Sequence, residues 1–332
     1  MQIKPGHRFK SFVILCLLLC LVPSTFANLE VRGVSYSPLK KIASKLNLKL
    51  RFQKPHEEAL LAGPNIEMRF TKNKRNVLIN NISVWLGHPI LFHSNDLYVA
   101  QTDYSEIITP IINPCSFPTN SNFYHIVLDP GHGGKDEGAH NPQFRLKEKD
   151  LTLDVCIRLM QELERMGYKV TLTRPNDQFI ALKDRSEFAN QKKADLFISI
   201  HFNSVECGKN VQGIETFLLP LHKDPSTAEN KVSHEDKIHF PGNQYDCWNA
   251  MIGYNIQSHL VNDLQSTDRG LKRGRLAVLK NINCPGVLVE VGFLSNNDEC
   301  EKFRLPFYRQ KIAQSIANAI ASYHRALKIQ PG

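Results

Sequence analysis

No CxxC pair occurs among the 8 cysteines of this sequence, which argues against a zinc site of the cysteine-rich structural kind. Basic runs interleaved with aromatic residues are also missing, and with them the usual footprint of a nucleic-acid surface, so no nucleic-acid partner is expected. Acidic residues are in the minority: 41 Lys and Arg against 32 Asp and Glu give a formal charge of +9. A moderately basic chain suits an anionic polymer. What the chain does have is 332 residues with 42% hydrophobic content, enough for a sizeable core and more than one domain.

The N-terminus carries Lys4, Arg8 and Lys10, then the apolar run from Ser11 to Val22, then Pro23-Ser-Thr-Phe-Ala27. A basic stretch, an apolar core too short to span a bilayer comfortably, and small residues at a cleavage point describe a secretory signal peptide over residues 1–27. Thr25 and Ala27 sit where a signal peptidase needs small side chains, which sets this reading above an uncleaved anchor. Leu19, in the place of a small residue, argues against lipidation at Cys20. The mature chain is then expected to begin near Asn28, outside the cytoplasm (periplasmic or wall-associated), with no stable membrane anchor. Cys16 and Cys20 leave with the signal, so Cys115, Cys156, Cys207, Cys247, Cys284 and Cys300 remain. An even number in an oxidising compartment permits disulfides and proves none.

Prolines and polar residues crowd at Pro110, Pro114 and Pro118, and residues 110–122 read as a linker. Before it, residues 28–109 hold one expected helix, Pro38 to Leu46, followed by alternating segments. Leu48, Leu50 and Phe52 alternate with Lys49 and Arg51, and Ile66, Met68 and Phe70 with Glu67 and Arg69. Period-two alternation predicts strands with one wet face, hence a small β-rich α+β domain. After the linker, residues 123–330 alternate strands and helices. His125–Asp129, Leu196–Ile200 and Val287–Val289 are apolar runs of the kind covered on both faces. Leu151–Met166, Trp248–Leu264 and Tyr308–Leu327 read as helices. The expected fold is α/β, a mostly parallel twisted sheet flanked by helices.

Three apolar strands run straight into polar residues: Asp129-Pro-Gly-His-Gly-Gly134, Ser199-Ile-His-Phe-Asn203 and Val289-Glu-Val-Gly-Phe-Leu-Ser-Asn296. Carboxyl ends of parallel strands are where open α/β sheets build their sites. With Glu148-Lys-Asp150, Thr173-Arg174, Arg185, Gly213-Ile-Glu215, Arg269-Gly270 and Pro285–Asn296 in the same order, the chain from Ile126 to Tyr323 resembles the zinc-dependent N-acetylmuramoyl-L-alanine amidases. The resemblance implies zinc ligands His132, Glu148 and His201, with Glu290 as the catalytic carboxylate. It also implies peptidoglycan as the substrate, in wall remodelling or daughter-cell separation, and an activator protein as a candidate second partner. Two imidazoles and one carboxylate form the three-ligand set of an open catalytic zinc site, and a further carboxylate beside it can carry protons. Residues 28–109 are similar to the small β-rich domains named after the N-terminus of copper amine oxidases, through Tyr36-Ser-Pro-Leu39, Ile79–Leu86 and Leu97-Tyr-Val99. His88 and His93 have no ligand set around them, so copper is not implied, and a targeting or spacer module is expected.

Other residues keep two readings each. Asp129 either orients His132 or caps the glycine turn, Arg174 and Arg185 bind a peptide carboxylate or form structural ion pairs, and His140 is the alternative ligand. A zinc peptidase acting inside the stem peptide would share metal, water and base, whereas a wall-binding protein with a dead site would not need all four residues. Ser37-Pro-Leu-Lys40 fits a short S-x-x-K serine pattern that arises easily by chance. Residues 222–247 are polar and irregular, and a loop this long is either functional or a bare insertion. Placed near the site's mouth, it would partly occlude the metal position with Glu229, His234, Glu235 or His239, tethered by a Cys207–Cys247 disulfide.

Overall fold

The computed structural model describes residues 28–115, 123–206, 208 and 210–328. The expected signal peptide, the later part of the expected linker and Cys207 lie outside these residues. The chain opens with β1 (Leu29–Val31), β2 (Val34–Pro38), α1 (Leu39–Leu46) and the strands β3 (Lys49–Lys54), β4 (Glu58–Ala62), β5 (Glu67–Thr71), β6 (Asn76–Ile79) and β7 (Ile82–Trp85). Then come β8 (Leu91–His93), β9 (Asp96–Ala100) and a helical stretch, α2 (Gln101–Asp103), a π turn (Tyr104–Ile108) and α3 (Thr109–Ile112). The second part runs β10 (His125–Pro130), β11 (His140–Asn141), β12 (Leu146–Lys147), α4 (Glu148–Arg165), β13 (Lys169–Leu172), α5 (Leu182–Gln191), β14 (Leu196–Asn203) and β15 (Ile214–Leu218). It ends with α6 (Asp246–Leu264), β16 (Asp268–Arg273), α7 (Ala277–Lys280), β17 (Gly286–Phe293), α8 (Asn297–Phe303) and α9 (Pro306–Leu327).

Strands β10, β14 and β17 are apolar almost throughout because both of their faces are covered. Their side chains alternate between two cores. Ile126, Leu128, Leu196, Ile198, Ile200, Val287 and Val289 join the core built with α4, α6 and α9, while Val127, Phe197 and Leu288 join Ala189 of α5 and Val278 and Leu279 of α7. Pairing is parallel for β13–β10, β10–β14 and β14–β17. Strand β15 then runs antiparallel to β17, with Glu215 opposite Glu290. The result is a mixed sheet flanked by helices, with a small β-rich part at the N-terminal end of the chain.

That β-rich part does not stand apart. Its hairpins β3–β7 extend the large sheet, because Val84 of β7 pairs in parallel with Leu271 of β16, giving 11 strands in one sheet. Strands β1, β2, β9 and β8 form a separate antiparallel sheet of 4. The expected linker also starts later than its prolines suggest. Pro110 is buried in the first turn of α3, a position where its missing N–H costs no hydrogen bond. Cys115 forms a disulfide with Cys247, 132 residues away at the start of α6. Cys247 is therefore not paired with Cys207.

The most heavily buried ionic contact among the described residues bridges the two parts. The Arg273 guanidinium, 2% exposed, donates to Asp103 Oδ1 at 2.8 Å and Asp224 Oδ2 at 3.3 Å. Asp103 also accepts from the amides of Gly87 and His88. Removing one partner of such a network strands the rest as uncompensated buried charge, at about 3–5 kcal/mol. Arg273→Met is expected to destabilise both parts together. Trp85 lies in β7 and Trp248 in α6, so urea unfolding followed by each tryptophan, with the other changed to Phe, should give coincident midpoints that shift together. Two separate midpoints, with only one moved by Arg273→Met, would contradict a single cooperative unit.

Candidate functional site

Three polypeptide segments meet at the carboxyl ends of β10, β14 and β17. After β10 the chain makes a tight turn in which Gly133 and Asp136 exchange backbone hydrogen bonds at 2.8 and 3.1 Å. His132 enters this turn with φ 59°, a left-handed conformation that a side chain rarely adopts. Arg185 Nη2 holds its carbonyl at 2.8 Å and Nη1 holds that of Pro130 at 2.8 Å, while Arg174 donates to the carbonyls of Pro130, Gly131 and Lys149. Arg174 spends its donors on main chain and Thr152, and Arg185 on main chain and the buried Asp129 carboxylate, a structural ion pair, so both clamp the loop rather than facing a ligand. Gly131 must be glycine because a Cβ there would lie 2.3 Å from the His201 ring.

The ribbon β11–β12 returns the chain to α4, whose first residue is Glu148. The helix thus begins a turn before the apolar periodicity, with Glu148 and Asp150 as the acidic residues favoured at a helix N-terminus. Glu148 is 4% exposed. Its Oε2 lies 3.0 Å from His132 Nε2 and accepts from the Ala139 amide at 2.8 Å, and its Oε1 lies 2.9 Å from His201 Nδ1 and accepts from the Phe202 amide at 3.0 Å. Burial pushes this carboxyl up, but the hydrogen bonds from His132 and His201 outweigh it and bring it down to about 2. At Gly138, φ +66°, a Cβ would fall 2.5 Å from Glu148 Oε2, so the returning loop packs directly on the carboxylate.

One donor atom from each of His132, Glu148 and His201 lies within 4.8 Å of the others. Two imidazole nitrogens and an ionised, buried carboxylate form a donor set that fits zinc chemically. His140 is exposed on β11 and is not part of this group. On β17, Glu290 stands in register with His201. Its Oε2 is buried and has no hydrogen-bond partner among the described residues. Burial, then the charges of Glu148 and Glu215, push its carboxyl well above the usual range.

One residue near these four, Asp136, escapes sequence reasoning. Asp136 Oδ2 lies 2.9 Å from His132 Nδ1 and its Oδ1 accepts from the Gly138 amide at 3.1 Å. This is the carboxylate that orients His132, because an Nδ1–H donated there leaves Nε2 free to face Glu148. Asp129 does not do so. It is fully buried and accepts from Thr173 Oγ1, Arg185 Nη1 and Ser199 Oγ, stitching β10 to its neighbours. Glu215, buried opposite Glu290, pairs with Arg269 at 2.5 Å and Lys272 at 2.7 Å and accepts from Asn203 at 3.3 Å. Asn296 caps α8 by accepting from the Glu299 amide.

Residues 222–247 do not reach this site. Because β15 is antiparallel to β17, the segment leaves the sheet at the end away from Glu290, where Phe217 lies opposite Leu288. There Glu229 and Asp236 pair with Arg275, Glu235 with Lys280, Asp224 with Arg273, and the His239 ring packs on His222. The serine pattern also dissolves: Lys40 Nζ donates to the Asn95 carbonyl and Ser37 Oγ to Asn28.

The sequence from 126 to 322 matches the family model described as N-acetylmuramoyl-L-alanine amidase. The chain belongs to this family. Among relatives, the germination-specific N-acetylmuramoyl-L-alanine amidase of Bacillus subtilis (strain 168) is 32% identical over 225 residues, covering 63% of this chain and 83% of that protein. The N-acetylmuramoyl-L-alanine amidase LytC of the same organism is 32% identical over 200 residues, 60% of this chain, but the chain spans only 35% of it. The crystal structure of an N-acetylmuramoyl-L-alanine amidase from Clostridium difficile 630 superposes with a TM-score of 0.51 at 30% identity, covering 61% of this chain and 97% of that one. Residues 28–125 lie outside the family match. Since Asp136 is half-exposed and touches the site only through His132, Asp136→Asn is expected to fold normally but to bind zinc about 10–100-fold more weakly. Zinc titration with a competing chelator measures this, and affinity equal to the parent's would remove the orienting role.

Proposed function

We propose that His132, Glu148 and His201 hold a zinc ion and that Glu290 is the proton-transferring carboxylate in hydrolysis of the amide between N-acetylmuramic acid and L-alanine of peptidoglycan. The observation that carries this reading is Glu148, buried and ionised between two imidazoles, with the charge of Glu148 acting on Glu290, whose Oε2 has no hydrogen-bond partner among the described residues, in a chain of the amidase family. When bound, zinc supplies a Lewis acid for the scissile carbonyl and lowers the pKa of water.

The chain's own residues do the rest. Asp136 and Glu148 fix the two imidazole rings, whose planes stand at 78°. Glu290 Oε2 accepts the proton of the attacking water and passes it to the amide nitrogen as the C–N bond breaks, so the leaving group departs as an amine rather than an amide anion. The products are the muramic acid carboxylate and a stem peptide with a free L-alanine amino end.

Export remains part of the proposal, supported by the basic and apolar architecture of residues 1–27, since the substrate lies outside the cytoplasm. Among the described residues no helix is long and apolar enough to cross a membrane. Residues 28–109 contribute none of the four site residues and are proposed to place the enzyme on the wall.

Mass spectrometry of purified peptidoglycan treated with the zinc-loaded protein should show intact stem peptides beginning with L-alanine. Cuts inside the stem peptide would favour a peptidase instead. His201→Ala should lose zinc and activity together, whereas Glu290→Gln should keep zinc while turnover falls by about 10²-fold or more. Zinc loss in the Gln variant would overturn the division of roles.

A further inference from the structure

A second site lies on the N-terminal part, on elements that carry none of the four residues above. A cavity of about 320 Å³ opens between β2, α1 and α2, lined by Ser37, Lys41, Ile42, Lys45, Gln101 and Tyr104 among others, none of them acidic. Two exposed lysines stand at its rim. Lys45 Nζ sits 5.7 Å from the Tyr104 ring centroid, and Lys41 Nζ and Ser37 Oγ donate to the one Asn28 oxygen at 3.2 and 3.4 Å. Gln101 Nε2 donates to Ser37 Oγ at 3.3 Å and has a second N–H.

Tyr104 is 9% exposed, and its hydroxyl has no hydrogen-bond partner among the described residues. A buried, unpaired hydroxyl costs stability unless something completes it. Here it belongs to a residue that lines a cavity edged by two cations and free of carboxylates, a lining that suits an oxyanion. The cavity also has an apolar wall, Ile42, itself 2% exposed. A ligand that uses both features has a carboxylate on a short aliphatic body.

We propose that this cavity is a carboxylate-binding subsite that takes a carboxylate-bearing part of the peptidoglycan stem peptide and tethers the enzyme to its polymer away from the bond being cut. The choice of peptide rests on the amidase reading, whereas the affinity for a carboxylate rests on the cavity alone. Ser37, which a serine-enzyme pattern would pair with Lys40 as catalytic, is here a binding group together with Lys41 and Lys45.

Calorimetry on the full chain tests this with three probes: a free stem peptide, the same peptide with its carboxylates amidated, and inorganic phosphate. The carboxylate peptide should bind, and amidation should abolish binding. Lys41→Ala with Lys45→Ala should weaken it about 10-fold, as expected for two charge-assisted contacts. Tyr104→Phe should weaken it about 3–10-fold while melting at the same temperature or higher, because an unpaired buried hydroxyl is gone. A hydroxyl with a merely structural role would not lower binding. Hydrolysis of a small soluble muropeptide should stay within about 2-fold in both variants. Unchanged peptide affinity in the variants, or binding of phosphate but not of the peptide, would overturn the proposal. Lysine-dependent peptide binding by a protein that fails to cut muropeptide would leave the subsite standing and remove the amidase reading instead.

Discussion

A buried carboxylate between two imidazoles sets the terms for everything around it. Glu148 sits where an isolated anion would be expelled or neutralised. It remains ionised because His132 and His201 face its two oxygens and two backbone amides complete them. Each of those contacts makes a demand on the fold. The Ala139 amide requires the loop after β10 to double back, Gly138 gives that loop room, and the Phe202 amide requires β14 to end beside the first turn of α4. The arginines that hold the loop, Arg174 and Arg185, are buried for the same reason. A cation placed among these donors would replace the histidine protons as the partner of the carboxylate, so the site is already arranged for positive charge.

The second constraint is the direction of β15. Running antiparallel to β17, it brings Glu215 beside Glu290 and sends residues 222–247 to the far end of the sheet. Those residues then meet β16, β17's approach and the N-terminal part, with Arg273 buried at the junction. One sheet edge, one disulfide and one buried ion network thus join residues 28–115 to the family's own fold. The N-terminal part carries a cavity of opposite character to the site, with donors and cations in place of acceptors.

Much of this was legible in residues that end strands. His132, His201 and Glu290 follow apolar runs whose both-face burial the sequence announces, and Glu148 precedes a clear helical period. Asp136 was harder, because Asp129 and Asp136 flank the same glycine turn. Only the alternation of β10 distinguishes them, by putting Asp129 on the inward face with Val127, toward Thr173 and Ser199. The reading of residues 222–247 as a gate failed on strand direction. A clue was present: about ten residues between β14 and β15 are too few for the crossover that parallel strands need. Pro110 misled because proline marks linkers and first helical turns alike. The pairing of Cys115 with Cys247 had no local signal, since it depends on where two distant segments end in space.

The account's central claim is that two imidazoles and Glu148, and no cysteine, hold one zinc. X-ray absorption at the zinc edge of the purified protein tests it most directly. The expected first shell is about four nitrogen and oxygen donors at about 2.0–2.1 Å, with outer-shell scattering from two imidazole rings and one equivalent of zinc per chain. A sulfur donor at about 2.3 Å, or the same spectrum from a His201→Ala variant, would contradict it.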